Sequence, residues 1–502
     1  MTEAAGRCEI ERFRGAVADR LGLAFDDTRL EFLGEVLRRR LARCRVSADA
    51  YLRDLEIRTA TAEPAALARE LTVGETYFFR NNEQFHALAE IVLPERMQRA
   101  GEKTMRILSA GCASGEEAYS VAILLREMML DPAWNIEVRA VDLNPAALER
   151  AGQARYSAWA LRETPLELQR KWFRPDGRDL VLDEAVRAAV RFEERNLASD
   201  DAALWQPASF DVILCRNVVM YFAPEQARAL LQRIVRALKP GGYLFLGHAE
   251  TLRGLSDDFH LRHTHGTFYY QRKHGLEAAG PLPAQTVAAV GPPGGGEPVS
   301  VGDAWIEVIR AASDRVAALA AAPQPPRQPE PAPPPSWDLA AALDMLRTDR
   351  FAEALALVRQ LPTASARDPD VLLLTATLLV HSGQPGAAEA ACCDLLAVDE
   401  LNAGAHYVFA LCREVAGDDA GAVEHDQIAC YLDAGFAMPW LHLGLLARRA
   451  GDRDAARRRL GQARLLLNRE DPSRLLLFGG GFSRGALLTL CEASWRDCGG
   501  TP

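Results

Sequence analysis

Ser109-Ala-Gly-Cys-Ala-Ser-Gly115 runs directly into Glu116-Glu117, and a further acid, Asp142, closes the apolar run Val138-Arg-Ala-Val141. A glycine-rich turn between a strand and a helix lets a ligand approach the backbone, as in many nucleotide sites. Glu116 and Glu117 would repel a phosphate and suit a ligand with a cationic amino group, such as the methionine moiety of S-adenosylmethionine. Acids at a helix start are also stabilised by about 0.3–1 kcal/mol through the helix dipole alone, which accounts for the carboxylates but not for the glycines. An acid at the tip of the second strand of such a unit commonly accepts hydrogen bonds from ribose hydroxyls. Asp142 could equally cap the helix that starts near Pro145.

These residues need a scaffold, and the chain supplies one. MRILSAGC, IEVRAVDLN, FDVILCRN and YLFLGH are short apolar strand candidates separated by helical patterns, with a turn predicted at Lys239-Pro240-Gly241-Gly242. Strands alternating with helices imply an α/β, doubly wound, Rossmann-like domain with ligands beyond the carboxyl ends of the strands. Residues 9–70 read as helices, with Leu30, Leu33, Leu37 and Leu41 at three- and four-residue steps. Residues 274–336 are rich in Pro, Gly and Ala and read as a linker, with one candidate amphipathic helix over 303–321. Beyond it Gly383, Gly417 and Gly451 recur every 34 residues, as do Ala388, Ala422 and Ala456, and Ala376, Ala410 and Gly444. That is the period of the tetratricopeptide repeat, an all-α solenoid. Four helical pairs are expected over about 335–470, the earliest with Asp349 at the glycine position and Ala354 after it. The segment 471–502 departs from the repeat, with Gly479–Gly481 breaking the helix, and is expected to cap the array.

Composition narrows the function further. A net charge of −10 over 502 residues argues against broad nucleic-acid affinity. Neither a signal peptide nor an apolar run long enough to span a bilayer is present, so a cytoplasmic protein with no membrane insertion is expected. The ten cysteines fall in no metal-ligand spacing and read as reduced thiols, so no metal is expected.

The ordered blocks Thr72-Val-Gly-Glu-Thr-Tyr-Phe-Phe-Arg80, SAGCASGEEAYS, AVDLNPAALERA, CRNVVMYF and GGYLFLGHAE resemble the CheR family of chemoreceptor glutamate methyltransferases. The tetratricopeptide tail is similar to that of its WspC-type subgroup. The resemblance implies a helical N-terminal domain over 1–75, a methyltransferase domain over 76–273 with a small β-subdomain near 172–195, repeats over 337–470, and a cap or tail over 471–502. It implies S-adenosylmethionine as cofactor, held by Gly74, Thr76, Arg80, Glu116, Asp142, Asn196, Leu197, Arg216 and Asn217. It places Tyr221 at the transferred methyl, and gives the family's active-site arginine to Arg96, with Arg99 competing.

The implied acceptor is a glutamate on the cytoplasmic domain of a methyl-accepting chemoreceptor, and the tail would take an unnamed protein or peptide. A glutamate is already a carboxylate at neutral pH, so transfer to it needs positioning and no general base. The arginine-rich helix carrying Arg38, Arg39, Arg40, Arg43 and Arg45 is a candidate receptor dock or a solvated face. The short Pro175–Asp179 turn implies no need for a receptor's C-terminal pentapeptide. Two rivals stay open here: a different methyl acceptor, and a non-enzymatic scaffold that only binds the cofactor.

Overall fold

A computed structural model describes residues 6–57, 63–72, 74–99, 103–128, 133–274, 345, 350–361 and 367–500. They fall into two compact units, Met1–Leu282 and Pro283–Pro502. The first opens with α1 (Arg7–Leu21), α2 (Leu30–Cys44), α3 (Ala48–Glu56) and α4 (Glu63–Leu71). Their apolar stripes bury Phe13, Val17, Leu33, Leu37, Leu52, Leu55 and Leu67 in one cluster, at about 1.5–3 kcal/mol per large side chain. Gly22 ends α1 with φ 76°, and a Cβ there would lie 2.6 Å from Phe222 and 2.8 Å from Ala198. That close approach lets the Ala24 N–H donate to the Tyr221 carbonyl at 2.7 Å. The helical lobe therefore lies in the same compact unit as the sheet and its covering helices.

After α5 (Asn82–Ala87) and α6 (Leu93–Arg99), strands and helices alternate: β1 (Thr104–Ala110), α7 (Glu116–Glu127), β2 (Asn135–Asp142), α8 (Pro145–Gln153), β3 (Arg155–Ser157) and α9 (Leu166–Trp172). The chain continues through β4 (Phe173–Asp176), β5 (Asp179–Leu182), α10 (Glu184–Arg187), β6 (Val190–Glu194), β7 (Phe210–Cys215) and α11 (Pro224–Ala237). It ends in β8 (Leu238–Leu246), β9 (Phe259–Thr264) and β10 (Thr267–Arg272). The main sheet runs β6-β2-β1-β7-β8-β10-β9. Its first five strands are parallel, and β10 is antiparallel to both β8 and β9. Every residue of the central β7 is buried, as a strand covered on both faces requires.

Three details differ from the sequence reading. Lys239–Gly242 is an irregularity inside β8 rather than a turn before it, because Phe210 pairs with Leu238 and Val212 with Tyr243. The β9–β10 hairpin, whose alternation is masked by His and Tyr, completes the sheet edge. The small subdomain has the order β3-β5-β4, so it draws in Arg155–Ser157, while Val190–Glu194 pairs with β2 in the main sheet.

The second unit is helical: α12 (Phe351–Val358), α13 (Pro369–His381), α14 (Pro385–Val398), α15 (Ala403–Val415), α16 (Asp419–Leu432), α17 (Ala437–Arg449), α18 (Arg453–Leu467), α19 (Pro472–Phe478) and α20 (Arg484–Asp497). Gly383, Gly417 and Gly451 turn the chain inside the pairs α13/α14, α15/α16 and α17/α18, with φ of 71°, 79° and 83°. Ala376, Ala410, Ala388, Ala422 and Ala456 are fully buried where paired helices approach. Asp349 and the helix considered at 303–321 lie outside the described residues.

Candidate active site

A cavity of about 310 Å³ opens at the carboxyl ends of β1, β2 and β7, under the helical lobe. Six expected residues meet in its wall: Gly74, Asp142, Asn196, Leu197, Asn217 and Tyr221. The glycine loop after β1 forms its floor. Gly111 has φ 83°, and a Cβ would lie 2.4 Å from Val218; Gly115 has φ 92°, and a Cβ there would lie 2.9 Å from Ala151. These glycines are therefore set first by the protein's own close packing, which brings the loop backbone to the cavity. Asp142 accepts from the Ala113 amide and the Asn144 amide, both at 2.8 Å. It ties the loop to the β2 tip, while Asn144 caps α8 by accepting from the Ala146 amide at 3.0 Å.

Glu116 is 4 % exposed at the start of α7, and the Ser114 hydroxyl donates to its carboxylate at 2.8 Å. It has no ion pair among the described residues, and burial raises its pKa above the usual glutamate range. Its carboxylate is outside the cavity wall and feels the charge of Arg150 without pairing with it; a buried acid of this kind beside a glycine loop fits a ligand's ammonium group. Because the charged form binds that group, cofactor affinity is expected to fall about tenfold per pH unit below this raised pKa. The fall begins at higher pH than an exposed glutamate would give. Protonation also favours the unliganded fold, whose stability is lost as pH rises through the same value. Calorimetric titration across pH checks this, and Glu116→Gln should flatten the profile; an unchanged slope in that variant removes Glu116 from the site.

Thr76 and Arg80 lie on the segment between α4 and α5 and are not in the cavity wall. That segment is pinned by Phe78, edge-on to Tyr156 at 4.8 Å and to Phe173 at 5.0 Å, and by the Phe79 amide donating to Ser120. Arg80 makes no ion pair among the described residues; its guanidinium lies 5.7 Å from the Tyr77 ring. Arg29, in the cavity wall, is likewise an exposed arginine without an ion pair among them. Asn196 is fixed by donating to the Arg20 carbonyl at 2.8 Å. The Tyr221 hydroxyl has no hydrogen-bond partner among the described residues, although the ring leans on the lobe's core.

Two assignments need correction. Arg216 is fully enclosed: it pairs with Glu117 at 3.2 Å and donates to Asn81 Oδ1 at 2.9 Å and to the Arg80 carbonyl. It therefore positions the Arg80 segment and stays out of the cavity wall. Arg96 lies at the opposite, amino end of the strands, 2.8 Å from Asp211 and bonded to the Pro240 carbonyl. Arg99 pairs with Glu95 at 2.7 Å. The resemblance alone could not tell which end of the sheet α6 serves. Arg96→Met is expected to cost about 3 kcal/mol by leaving the buried Asp211 with one cation fewer, with cofactor affinity within twofold of wild type. Thermal melting and calorimetry together check this, and a tenfold loss of affinity would return Arg96 to the site.

Sequence reading missed Glu250. Its carboxylate accepts from the amides of Asn217 (2.7 Å), Val218 (2.9 Å), Met220 (3.1 Å) and Gly247 (2.6 Å), fixing the loop that carries Asn217 and Tyr221. Gly247 makes room, since a Cβ there would sit 2.7 Å from Glu250 Oε2.

This sheet order, with a glycine loop after β1 and an acid at the β2 tip, defines a Rossmann-like methyltransferase domain. The profile of the family "CheR methyltransferase, SAM binding domain" matches residues 74–268. "Chemotaxis protein methyltransferase 2" of Vibrio cholerae is 32% identical over 268 residues, covering 52% of this chain and 92% of that protein. "Probable biofilm formation methyltransferase WspC" of Pseudomonas aeruginosa is 28% identical over 450 residues, covering 89% of this chain and 96% of that protein. The chain belongs to the CheR methyltransferase family and is an S-adenosylmethionine-dependent methyltransferase. None of its described helices is long and apolar enough to cross a membrane.

Proposed function

We propose that this protein transfers a methyl group from S-adenosylmethionine to glutamate carboxylates on the cytoplasmic domain of a methyl-accepting chemoreceptor. The observation that carries this is the chemistry of the cavity wall. Its described residues include no histidine, cysteine or lysine. Its two acids already accept hydrogen bonds, Asp26 from the Thr28 hydroxyl and Asp142 from the Ala113 and Asn144 amides, so an acceptor that must first lose a proton is poorly served. An acceptor already ionised at neutral pH needs only to be oriented. The bound cofactor supplies the sulfonium methyl that such a carboxylate oxygen takes.

In this reading Glu116 holds the cofactor's amino group and Asp142 its ribose, with Asn196, Leu197 and Asn217 around the base. The Tyr221 hydroxyl orients the acceptor. Arg80 and Arg29, which lack ion pairs among the described residues, take the part first given to Arg96. A loose arginine suits the step, because the acceptor's charge is neutralised as the ester forms and a tight pair would oppose it.

Receptor capture falls to fewer arginines than the sequence suggested. Arg40 is buried against Glu63 at 2.8 Å, and Arg39 is paired with Glu70 at 2.8 Å. Arg38, Arg43 and Arg45 remain exposed on α2 and its cap, without ion pairs among the described residues. The β4–β5 turn is only Gly177-Arg178, braced by Arg155 to Asp176 at 2.6 Å. So short a turn supports a mode that needs no receptor pentapeptide. Initial rates on a purified receptor cytoplasmic fragment test the reading. Saturable transfer is expected, equal with and without the receptor tail, and a combined Arg38→Glu and Arg43→Glu change should raise KM for the receptor about tenfold with cofactor affinity unchanged. No transfer to any receptor fragment would defeat the proposal.

A further inference from the structure

The size pattern of the repeats continues one period beyond the last regular pair. Gly485 follows Gly383, Gly417 and Gly451, but Phe478 stands where Ala376, Ala410 and Gly444 precede it, and Leu490 where Ala388, Ala422 and Ala456 do. That first position tolerates little bulk: a Cβ on Gly444 would lie 2.6 Å from Leu460. Phe478 therefore forbids a further regular pair. The helix that would open it, α19, stops after seven residues, and Gly480 and Gly481 turn the chain with φ of 61° and 82°.

The shortened helix folds back onto the first helices of the array. The Phe478 ring lies 5.9 Å from Tyr407 and 5.0 Å from Phe436. Gly404 leaves the space for it, since a Cβ there would be 2.8 Å from Phe478 Cζ. Arg474 donates to Asp433 at 2.8 Å, with its guanidinium 4.3 Å from the Phe436 ring. His381 Nε2 lies 3.4 Å from the Leu477 carbonyl. All these partners sit on α13, α15 or the turn into α17, and none on the second helices. First helices line the concave side of such a solenoid, the surface these arrays use for binding. Behind the plug, α20 is anchored separately, with the Arg448 guanidinium donating to Ser494 at 2.9 Å and Cys491 against the Leu460 carbonyl.

We propose that the groove formed by Gly404, Tyr407, Phe436 and Asp433 is a receptor for a partner protein's short helix carrying an arginine and, four residues on, an aromatic ring, and that Pro472–Phe478 fills it in cis until such a helix displaces it. Residues four apart share one helix face, so Asp433 takes the arginine while the Tyr407–Phe436 cup takes the ring, a helix-in-groove mode. The tether through Gly479–Gly481 gives the internal helix a high effective concentration, which holds out weak competitors.

The test uses the full-length protein and a fluorescent synthetic peptide of residues 469–481. The protein with Phe478→Ala is expected to bind the peptide at least tenfold more tightly than wild type, and a peptide with the same Phe→Ala change should bind neither. Equal affinity of the two proteins, or equal binding of the two peptides, overturns the proposal. Should Phe478→Ala unfold the solenoid by circular dichroism, Gly404→Ala serves instead. It wedges Phe478 out while keeping every apolar core residue, and should raise tryptic cleavage at Arg474 at least fivefold; unchanged cleavage likewise overturns it.

Discussion

Asp142→Ala will weaken S-adenosylmethionine binding about 100-fold, or about 2.7 kcal/mol. The carboxylate holds the Ala113 and Asn144 amides at 2.8 Å each, so its removal frees the glycine loop as well as the proposed ribose contact. Hydrogen bonds to a charged group contribute about 1.5–3 kcal/mol apiece, so a loss of this size is expected even with partial relaxation. Asp142→Asn keeps one acceptor oxygen and turns a donor amide NH2 toward one of the two N–H groups, and should lose about tenfold. Calorimetry on the three proteins checks the series. Affinities within threefold of one another would mean that the acid serves the loop alone.

Glu250→Ala is expected to lower kcat/KM more than 100-fold while the helical lobe and solenoid stay folded. The substitution strands four amides that share one carboxylate, at 2.6–3.1 Å. A buried donor left without an acceptor costs about 1–3 kcal/mol, and the loop will shift to find water instead. That shift moves Asn217 and Tyr221 together, so cofactor affinity and kcat should both fall. Asp142→Ala, in contrast, acts mainly through affinity. A Glu250→Ala protein with normal kcat at saturating cofactor would show that the loop holds its shape without the clamp.

These two acids differ in how far the sequence reveals them. Asp142 was legible because a strand pattern ends on it and a glycine loop precedes it by one βαβ unit. Glu250 was not, since its partners are backbone amides, which carry no sequence signature, and it sits in a loop far along the chain. The same limit misplaced Arg96: which end of the sheet its helix serves depends on tertiary packing with Asp211. Arg216 was found and given to the cofactor, whereas its two terminal nitrogens are engaged by Glu117, Asn81 and the Arg80 carbonyl. The solenoid was legible for the opposite reason. Its turns need φ > 0 and its helix pairs need small residues, so geometry writes itself into Gly and Ala at a fixed period. Phe478 breaks that period, and the structure shows where the displaced helix goes.

The central claim is that an already ionised carboxylate receives the methyl group. The most direct measurement incubates the full-length protein with methyl-labelled S-adenosylmethionine and a purified receptor cytoplasmic fragment, then treats the separated receptor with mild alkali. A glutamate methyl ester hydrolyses to methanol, so the label is expected to leave the receptor as a volatile product. Label that stays on the receptor through alkali, or that never reaches it while cofactor is consumed, would contradict the claim.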